Sequence, residues 1–223
     1  FKRSTWTTKK ESRRKKMHQT RAKVSRKIPI PKKGTKYVAR ALGSQGDSIP
    51  VVIAIRDMLK LARTSSEVKK MIHKKLLKIN GREVKDHREP LYLFTILEAG
   101  KNFILTISET GKFHLLETKE KNRPCKVIGK KMLKGKKIQL NLHDGFNMMT
   151  EKPIGVNDTV YLNIDGKIST HVKMEKGAEC FVISGKYLGK KGKIESVENG
   201  KVTAKLVGVE KPHLLGKAGV IAL

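Results

Sequence analysis

The side chains with the clearest chemistry in this chain are lysines and arginines, which neutralise phosphates. The 223 residues carry 50 of them against 20 acids, a formal net charge of +30 at pH 7. Sixteen lie within residues 1–40, where Glu11 is the single acid. Because each cation placed on a phosphate releases a condensed counterion, this composition favours nucleic acid as the partner over a tail that only aids solubility.

Few residues have the types and spacing of a catalytic or metal site. His143-Asp144 is the best acid–base dyad, but it precedes Gly145 in a predicted turn, where such a pair usually has a structural role. Gly189-Lys190-Lys191 lacks the spacing and the following helix of a phosphate-binding loop. Cys125 and Cys180 stand too far apart for structural zinc. We therefore predict no catalytic residue, metal, cofactor or small-molecule substrate.

Residues 1–41 are predicted to form a disordered basic tail that contacts RNA. Their apolar residues are few and scattered, so the segment cannot bury enough surface to offset its ordering entropy. The sequence has no run of about 20 apolar residues that would span a membrane. Its basic start is also without the apolar stretch of a signal peptide. We expect no membrane partner.

Residues 42–106 are predicted to contain two short helices followed by a hairpin. Apolar residues recur at helical spacing over Ile49–Ala62. Thr64 and Glu67 then fit a capping box that begins a second helix with a basic outer face. After these helices, Asn80-Gly81 is typical of a tight turn between two strands.

The rest of the chain is predicted to be β structure. Leu91–Leu97 is a near-continuous apolar run, which indicates one buried strand. Short alternating strands with Gly turns predict a central β domain over residues 107–173. A Gly-rich module with a lysine-rich loop, residues 174–223, is predicted to form a small β-barrel. The predicted fold class is α+β, with the helices confined to residues 42–106.

Two of these blocks resemble known RNA-binding modules. The first, from Ile49 to about Ile107, resembles the αL-type RNA-binding domain through the segments Arg56–Lys60, Glu67–Lys70 and Leu77–Val84. The second, Gly177–Ile194, resembles a KOW motif. Together with the basic tail and the β-rich middle, their order resembles the S4e family of archaeal and eukaryotic small-subunit ribosomal proteins. Further segments that match this family are Thr110–Phe113, Cys125–Val127, Gln139–Gly145 and Val156–Val160.

The family resemblance implies a structural constituent of the small ribosomal subunit in the cytoplasm, without enzymatic activity. It would bind small-subunit ribosomal RNA, contact neighbouring ribosomal proteins and support subunit assembly and translation. The short chain with compact loops resembles the archaeal members. An RNA-modifying enzyme and a transcription or translation factor stay open as alternatives, because both use the same modules.

The residues predicted to contact RNA lie in the tail, on the two helices and the hairpin, and in the KOW loop. They are Lys2, Arg3, Trp6, Arg13, Arg14, Lys15, Lys16, Arg21, Arg26, Lys27, Arg56, Lys60, Arg63, Lys69, Lys70, Lys74, Lys75, Lys78, Arg82, Lys186, Lys190 and Lys191.

Overall fold

The computed structural model describes residues 18–43, 47–133, 137–209 and 211–223, and its elements surround three apolar cores. Within these residues the protein is mostly β, with nineteen short strands. The helices are α1 (Val51–Ile53), which continues as a π-helical segment (Ala54–Met58), and α2 (Ser65–His73). Single 3-10 turns lie at Arg21–Lys23 and Lys217–Gly219. In the described part of the chain, no helix is long and apolar enough to cross a membrane.

The segment 18–41 is ordered, which corrects the prediction of a disordered tail for this part of residues 1–41; residues 1–17 lie outside the described residues. Strand β1 (His18–Thr20) pairs with β2 (Tyr37–Ala39). Between them, Ile28 is buried in the first core beside Val38, and the Phe113 backbone N–H donates to the Lys27 oxygen at 2.7 Å. A few apolar side chains and backbone hydrogen bonds therefore fix a segment whose composition alone favours disorder.

The first core lies under the two helices and two sheets. Strand β3 (Ser48–Pro50) pairs with β6 (Pro90–Tyr92). A five-stranded antiparallel sheet has the order β5-β4-β7-β8-β9. Its strands are β4 (Lys78–Ile79), β5 (Arg82–Glu83), β7 (Ile96–Ala99), β8 (Lys101–Ile107) and β9 (Phe113–Glu117). Since β9 pairs with β8, this sheet extends past the predicted domain boundary at residue 106.

Local sequence signals in this region are confirmed at three points. The first helix lies within the predicted range Ile49–Ala62. At the start of the second helix, the Thr64 hydroxyl accepts from the Glu67 N–H at 3.2 Å, and the Glu67 carboxylate accepts from the Arg63 N–H at 2.8 Å. Asn80 and Gly81 have φ of 50° and 80°, the left-handed pair that a tight hairpin requires.

The prediction of one strand over Leu91–Leu97 is wrong. Phe94 takes a φ of 61°, and the chain turns there between β6 and β7. The Phe94 ring packs edge-on against Phe181 of the C-terminal module, with centroids 5.6 Å apart. A run of apolar residues indicates that the segment is buried, but it does not indicate where the backbone changes direction. The turn at Phe94 therefore could not be predicted from this run.

The central sheet surrounds the second core in the order β12-β11-β10-β13-β14. Its strands are β10 (Arg123–Met132), β11 (Ile138–Leu142), β12 (Asn147–Thr150), β13 (Thr159–Leu162) and β14 (Ile168–Val172). Strand β10 is the long member and pairs with β11 through one half and with β13 through the other. Residues of the central core lie within the predicted range 107–173.

The C-terminal module is a five-stranded antiparallel sheet around the third core, in the order β18-β17-β16-β15-β19. Its strands are β15 (Glu179–Val182), β16 (Lys191–Val197), β17 (Lys201–Leu206), β18 (His213–Gly216) and β19 (Val220–Ala222). Residues after Val207 thus supply two strands, and β19 returns to pair with β15.

Buried polar contacts join the C-terminal module to the central domain. Lys126 is buried, and its Nζ donates to the backbone oxygens of Lys217 and Val220, the latter at 2.6 Å. Burial lowers the pKa of this amine to about 8. The lysine therefore fixes the relative position of the two units rather than serving as a free surface cation.

The loop before β16 docks on the first sheet. Leu188 packs on the first core, and Gly189 (φ 86°) lies so close to the turn after β8 that a Cβ would stand 2.2 Å from the Ser108 oxygen. Gly185, in the same loop, also has a positive φ (93°), but a Cβ there would meet nothing within 4 Å.

We expect Gly189→Ala to lower the free energy of unfolding by about 2 kcal/mol more than Gly185→Ala. Both substitutions force alanine into left-handed backbone, at a cost of roughly 1 kcal/mol, but only Gly189→Ala also pushes against the Ser108 backbone. Urea unfolding of both variants measures the difference. Equal losses would show that the loop does not depend on this close approach.

Candidate nucleic-acid interface

Helix α2 presents a row of cations to solvent. Its inner face holds Val68, which is fully buried, whereas Lys69, Lys70 and His73 on the helix are exposed, as are Lys74 and Lys75 directly after it. The helix begins at the Thr64 cap and continues to a C-terminal end where its dipole favours positive charge. A rigid helix that holds several cations in fixed positions is suited to contacting phosphates.

A cleft of about 410 Å³ separates α2 from the segment after the β4–β5 hairpin. Besides Lys69, His73 and Lys75, its walls include Lys85 and His87. Sequence reasoning missed these last two, because they follow the hairpin instead of repeating along the helix. The cleft brings lysines from two separate elements to one opening, although the acids Glu83 and Asp86 also line it.

The far wall of the cleft is held rigid by two carboxylates. Glu89 is buried and accepts from the backbone N–H of Lys85 at 2.8 Å, and also from Arg82 at 2.9 Å. Asp86 accepts from the Arg88 guanidinium at 2.9 Å, and this contact lowers the pKa of the carboxyl. The loop is therefore fixed before any ligand binds.

Charge at the cleft comes from its lysines more than from His87. Burial lowers the pKa of this imidazole, and the positive charge of Lys69 lowers it further, although Asp86 acts in the opposite direction. A histidine with a lowered pKa is neutral at pH 7. It can therefore offer a hydrogen bond at the wall without adding a charge.

Several predicted RNA contacts on this block already have a partner within the chain. Asp57 accepts two hydrogen bonds from Arg56, at 3.0 and 2.8 Å, and this pair raises the pKa of the guanidinium. Lys75 lies 3.2 Å from Glu83, an exposed pair that is weak in water. Lys60, Arg63, Lys69, Lys70, Lys74 and Lys78 are exposed, and no salt bridge involves them in the described part of the chain.

The predicted contacts of the N-terminal segment have different positions. Lys2, Arg3, Trp6, Arg13, Arg14, Lys15 and Lys16 lie outside the described residues. Arg21 binds its own loop, donating to the Pro31 oxygen at 2.6 Å and the Thr35 oxygen at 2.8 Å. Lys27 pairs with Asp47 at 2.9 Å, whereas Arg26 is exposed. Arg21 thus holds the loop that closes between β1 and β2.

On the C-terminal module, lysines of the KOW loop and of the adjoining strands form an exposed basic surface. Lys186 and Lys191 are exposed and Lys190 is half-buried. Sequence reasoning missed Lys193 and Lys205, which lie directly opposite each other on β16 and β17. Like charges in this position repel, but Glu179 lies opposite Lys193 on its other side, on β15, and offsets part of the repulsion.

The His143-Asp144 dyad supports the central domain instead of forming a reactive pair. His143 Nδ1 accepts from the Lys126 N–H at 3.1 Å, so Nε2 donates to the Leu93 oxygen at 3.0 Å. Burial lowers the pKa of this imidazole. Asp144 binds Arg123 and accepts from the Phe146 N–H at 2.9 Å. Both side chains are therefore engaged in hydrogen bonds within the protein.

The two cysteines are buried, free thiols in separate domains. Burial raises the pKa of Cys125 to about 12 and that of Cys180 to about 11, so neither is a reactive thiolate at pH 7. Across the described residues, no group of three or more His, Cys, Asp or Glu side chains is arranged to hold a metal ion.

Two family models match parts of this chain, and proteins with known names are similar to it over most of its length. Residues 99–168 match the model of ribosomal family S4e, and residues 176–207 match the KOW motif. Small ribosomal subunit protein eS4 of Methanocella arvoryzae is 33% identical over 189 residues, covering 81% of each chain. The protein of the same name from Archaeoglobus fulgidus is 30% identical over 204 residues, 87% of this chain and 86% of that one.

The fold is also similar to a solved structure. The crystal structure of 30S ribosomal protein S4e from Thermoplasma acidophilum superposes with a TM-score of 0.68 at 24% sequence identity. The match covers 79% of this chain and 95% of that one.

Proposed function

Since this chain belongs to the S4e family of ribosomal proteins, we propose that its cationic surfaces bind ribosomal RNA and so hold it in the small ribosomal subunit. Membership makes it a structural constituent of that subunit, located in the cytoplasmic ribosome, and not an enzyme. Its partners are ribosomal RNA and other ribosomal proteins. The RNA contacts assigned to individual residues are the proposal.

The observation that carries the proposal is the basic face of α2 together with the cleft beside it. We infer that α1, α2 and the β4–β5 hairpin act as an αL-type RNA-binding unit, with exposed lysines of the helix and hairpin on RNA phosphates. The support is geometric: Lys69, Lys75 and Lys85 line one cleft from two elements, and buried Glu89 fixes the wall opposite the helix. Such a surface positions a folded RNA by its backbone.

We expect the isolated protein to bind small-subunit ribosomal RNA with a steep salt dependence. A protein that neutralises several phosphates loses roughly a thousandfold in affinity between about 50 and 200 mM salt. Filter binding over a salt series measures the slope of log K against log salt. Large-subunit ribosomal RNA is the matched control, and we expect it to bind roughly a thousandfold more weakly at the same salt.

Two results would contradict this proposal. A flat plot of log K against log salt would exclude phosphate neutralisation as the mechanism. Equal affinity for both RNAs would leave general electrostatic attraction but no specific site in the small subunit.

A further inference from the structure

The outer half of β10 loses its burial, although Ile138 on the paired strand β11 still packs against the central core. In β10, Arg123–Val127 is buried, but the strand becomes exposed at Ile128, where a β-bulge interrupts its pairing with β11. Beyond the bulge the two strands continue to pair up to Met132 and Ile138. We call the described residues on either side of this hairpin's tip, 128–133 and 137–139, the arm.

The arm has an extreme charge for its length. Its described residues include three lysines and no acidic residue. Lys130, Lys131 and Lys137 are exposed on its strands, and in the described part of the chain no carboxylate lies within salt-bridge distance of them. These three charges therefore repel one another, and no salt bridge among the described residues offsets the repulsion.

The arm and its neighbouring strand also expose large apolar side chains. Met132 is 75% exposed and Ile128 60%, while Met149, on the adjoining β12, is 69% exposed. Cross-strand register places Met132 beside Ile138, and Met149 opposite Gln139 in the row that includes Lys131. Apolar groups therefore flank the lysines on both faces of the arm, and none of the three cores covers these methionines.

We propose that the arm inserts into folded ribosomal RNA, with its lysines on phosphates and its methionines against sugars and unstacked bases. This inference rests on the function proposed above and adds a second contact region, on a different domain from the α2 cleft. The charge favours RNA over a protein partner, because phosphates neutralise closely spaced lysines and release the condensed counterions. Folded RNA supplies both kinds of surface, because its loops and bulges expose bases beside the backbone.

A hydroxyl-radical probe attached to the arm tests this directly. Cys125 and Cys180 are fully buried, so Met132→Cys introduces a single accessible thiol for an iron chelate. The labelled full-length protein is assembled into small subunits, and RNA cleavage is mapped. We expect strong cleavage at a compact set of nucleotides. His73→Cys probes α2 in the same way, and Lys167→Cys, on the β13–β14 turn, is the control.

The outcomes separate the arm from the wider function. If His73→Cys gives RNA cleavage but Met132→Cys gives no more than the Lys167→Cys control, the proposed RNA contact of the arm is contradicted. The proposed interface at α2 is then still supported. Cleavage from neither His73→Cys nor Met132→Cys overturns both. Crosslinking of Met132→Cys to a neighbouring protein, without RNA cleavage, assigns the arm to a protein contact and also overturns the inference.

A charge variant provides an independent readout. We expect Lys130→Gln, Lys131→Gln and Lys137→Gln together to weaken RNA binding at least about tenfold and to flatten the salt slope by roughly 2 to 3. Replacing Lys119, Lys121 and Lys167 by glutamine removes the same charge from exposed positions elsewhere on the chain. Equal losses in the two triple variants would mean that only net charge matters, which overturns the arm as a specific contact.

Discussion

Reversing Lys69, Lys70, Lys74 and Lys75 to glutamate together is expected to weaken binding to small-subunit ribosomal RNA by roughly 100-fold or more near 0.1 M salt. Lys69 and Lys70 lie on α2, Lys74 and Lys75 directly follow it, and all four are exposed. The variant therefore replaces several attractive phosphate contacts with repulsive ones. We expect the salt slope to fall by about 3. Filter binding gives both numbers, and sedimentation with small subunits after a high-salt wash gives the consequence in the particle.

The control for this variant is an equal charge change elsewhere. Lys112, Lys119, Lys121 and Lys167 are exposed and distant from α2 in sequence, and their reversal tests net charge alone. Both variants should keep the circular dichroism and the melting transition of the wild type, since surface substitutions have small effects. The lost Lys75–Glu83 pair is exposed and contributes little. If the α2 variant is incorporated into small subunits normally, the main RNA-binding surface lies elsewhere on the protein.

The parts of this interface that could be predicted from sequence depend on neighbouring residues. The cap of α2 needs only Thr64 and Glu67, the hairpin turn needs only Asn80-Gly81, and the basic face follows from lysines at helical spacing. In each case the physical cause lies within a few residues of its effect. These elements were therefore predicted, and the surface they carry was predicted with them.

The parts that were missed depend on contacts between distant segments. Ile28 is buried because segments far along the chain cover it, and Phe94 turns where it meets Phe181. Residues after Val207 complete the C-terminal sheet through β19, which pairs with a strand near the module's start. Lys126 looks like another surface cation in sequence, yet it binds two backbone oxygens of the C-terminal module. Neither the hydrophobic periodicity nor the turn residues of a sequence indicate which distant segments will contact each other.

Asp144→Ala is expected to lower the free energy of unfolding by about 3–5 kcal/mol, because it leaves a buried charge without its partner. The side chains of Arg123 and Asp144 are 6% and 4% exposed, and Arg123 Nε has no hydrogen-bond partner among the described residues. The variant also removes the acceptor for the Phe146 N–H. Urea unfolding measures the loss.

Two controls separate the buried ion pair from other effects of the substitution. Glu117→Ala breaks the exposed Lys101–Glu117 pair and should cost less than about 1 kcal/mol. Replacing both partners, Arg123→Met with Asp144→Leu, should recover most of the stability, since well-packed apolar groups can substitute for a buried pair. An Asp144→Ala protein as stable as the wild type would contradict the structural role.

If a modified ribosomal RNA nucleotide vanished with this variant while the fold stayed intact, the His143-Asp144 dyad would be catalytic. We expect the nucleoside composition of the RNA, read by mass spectrometry, to be unchanged, because both side chains of the dyad are already bound by the fold.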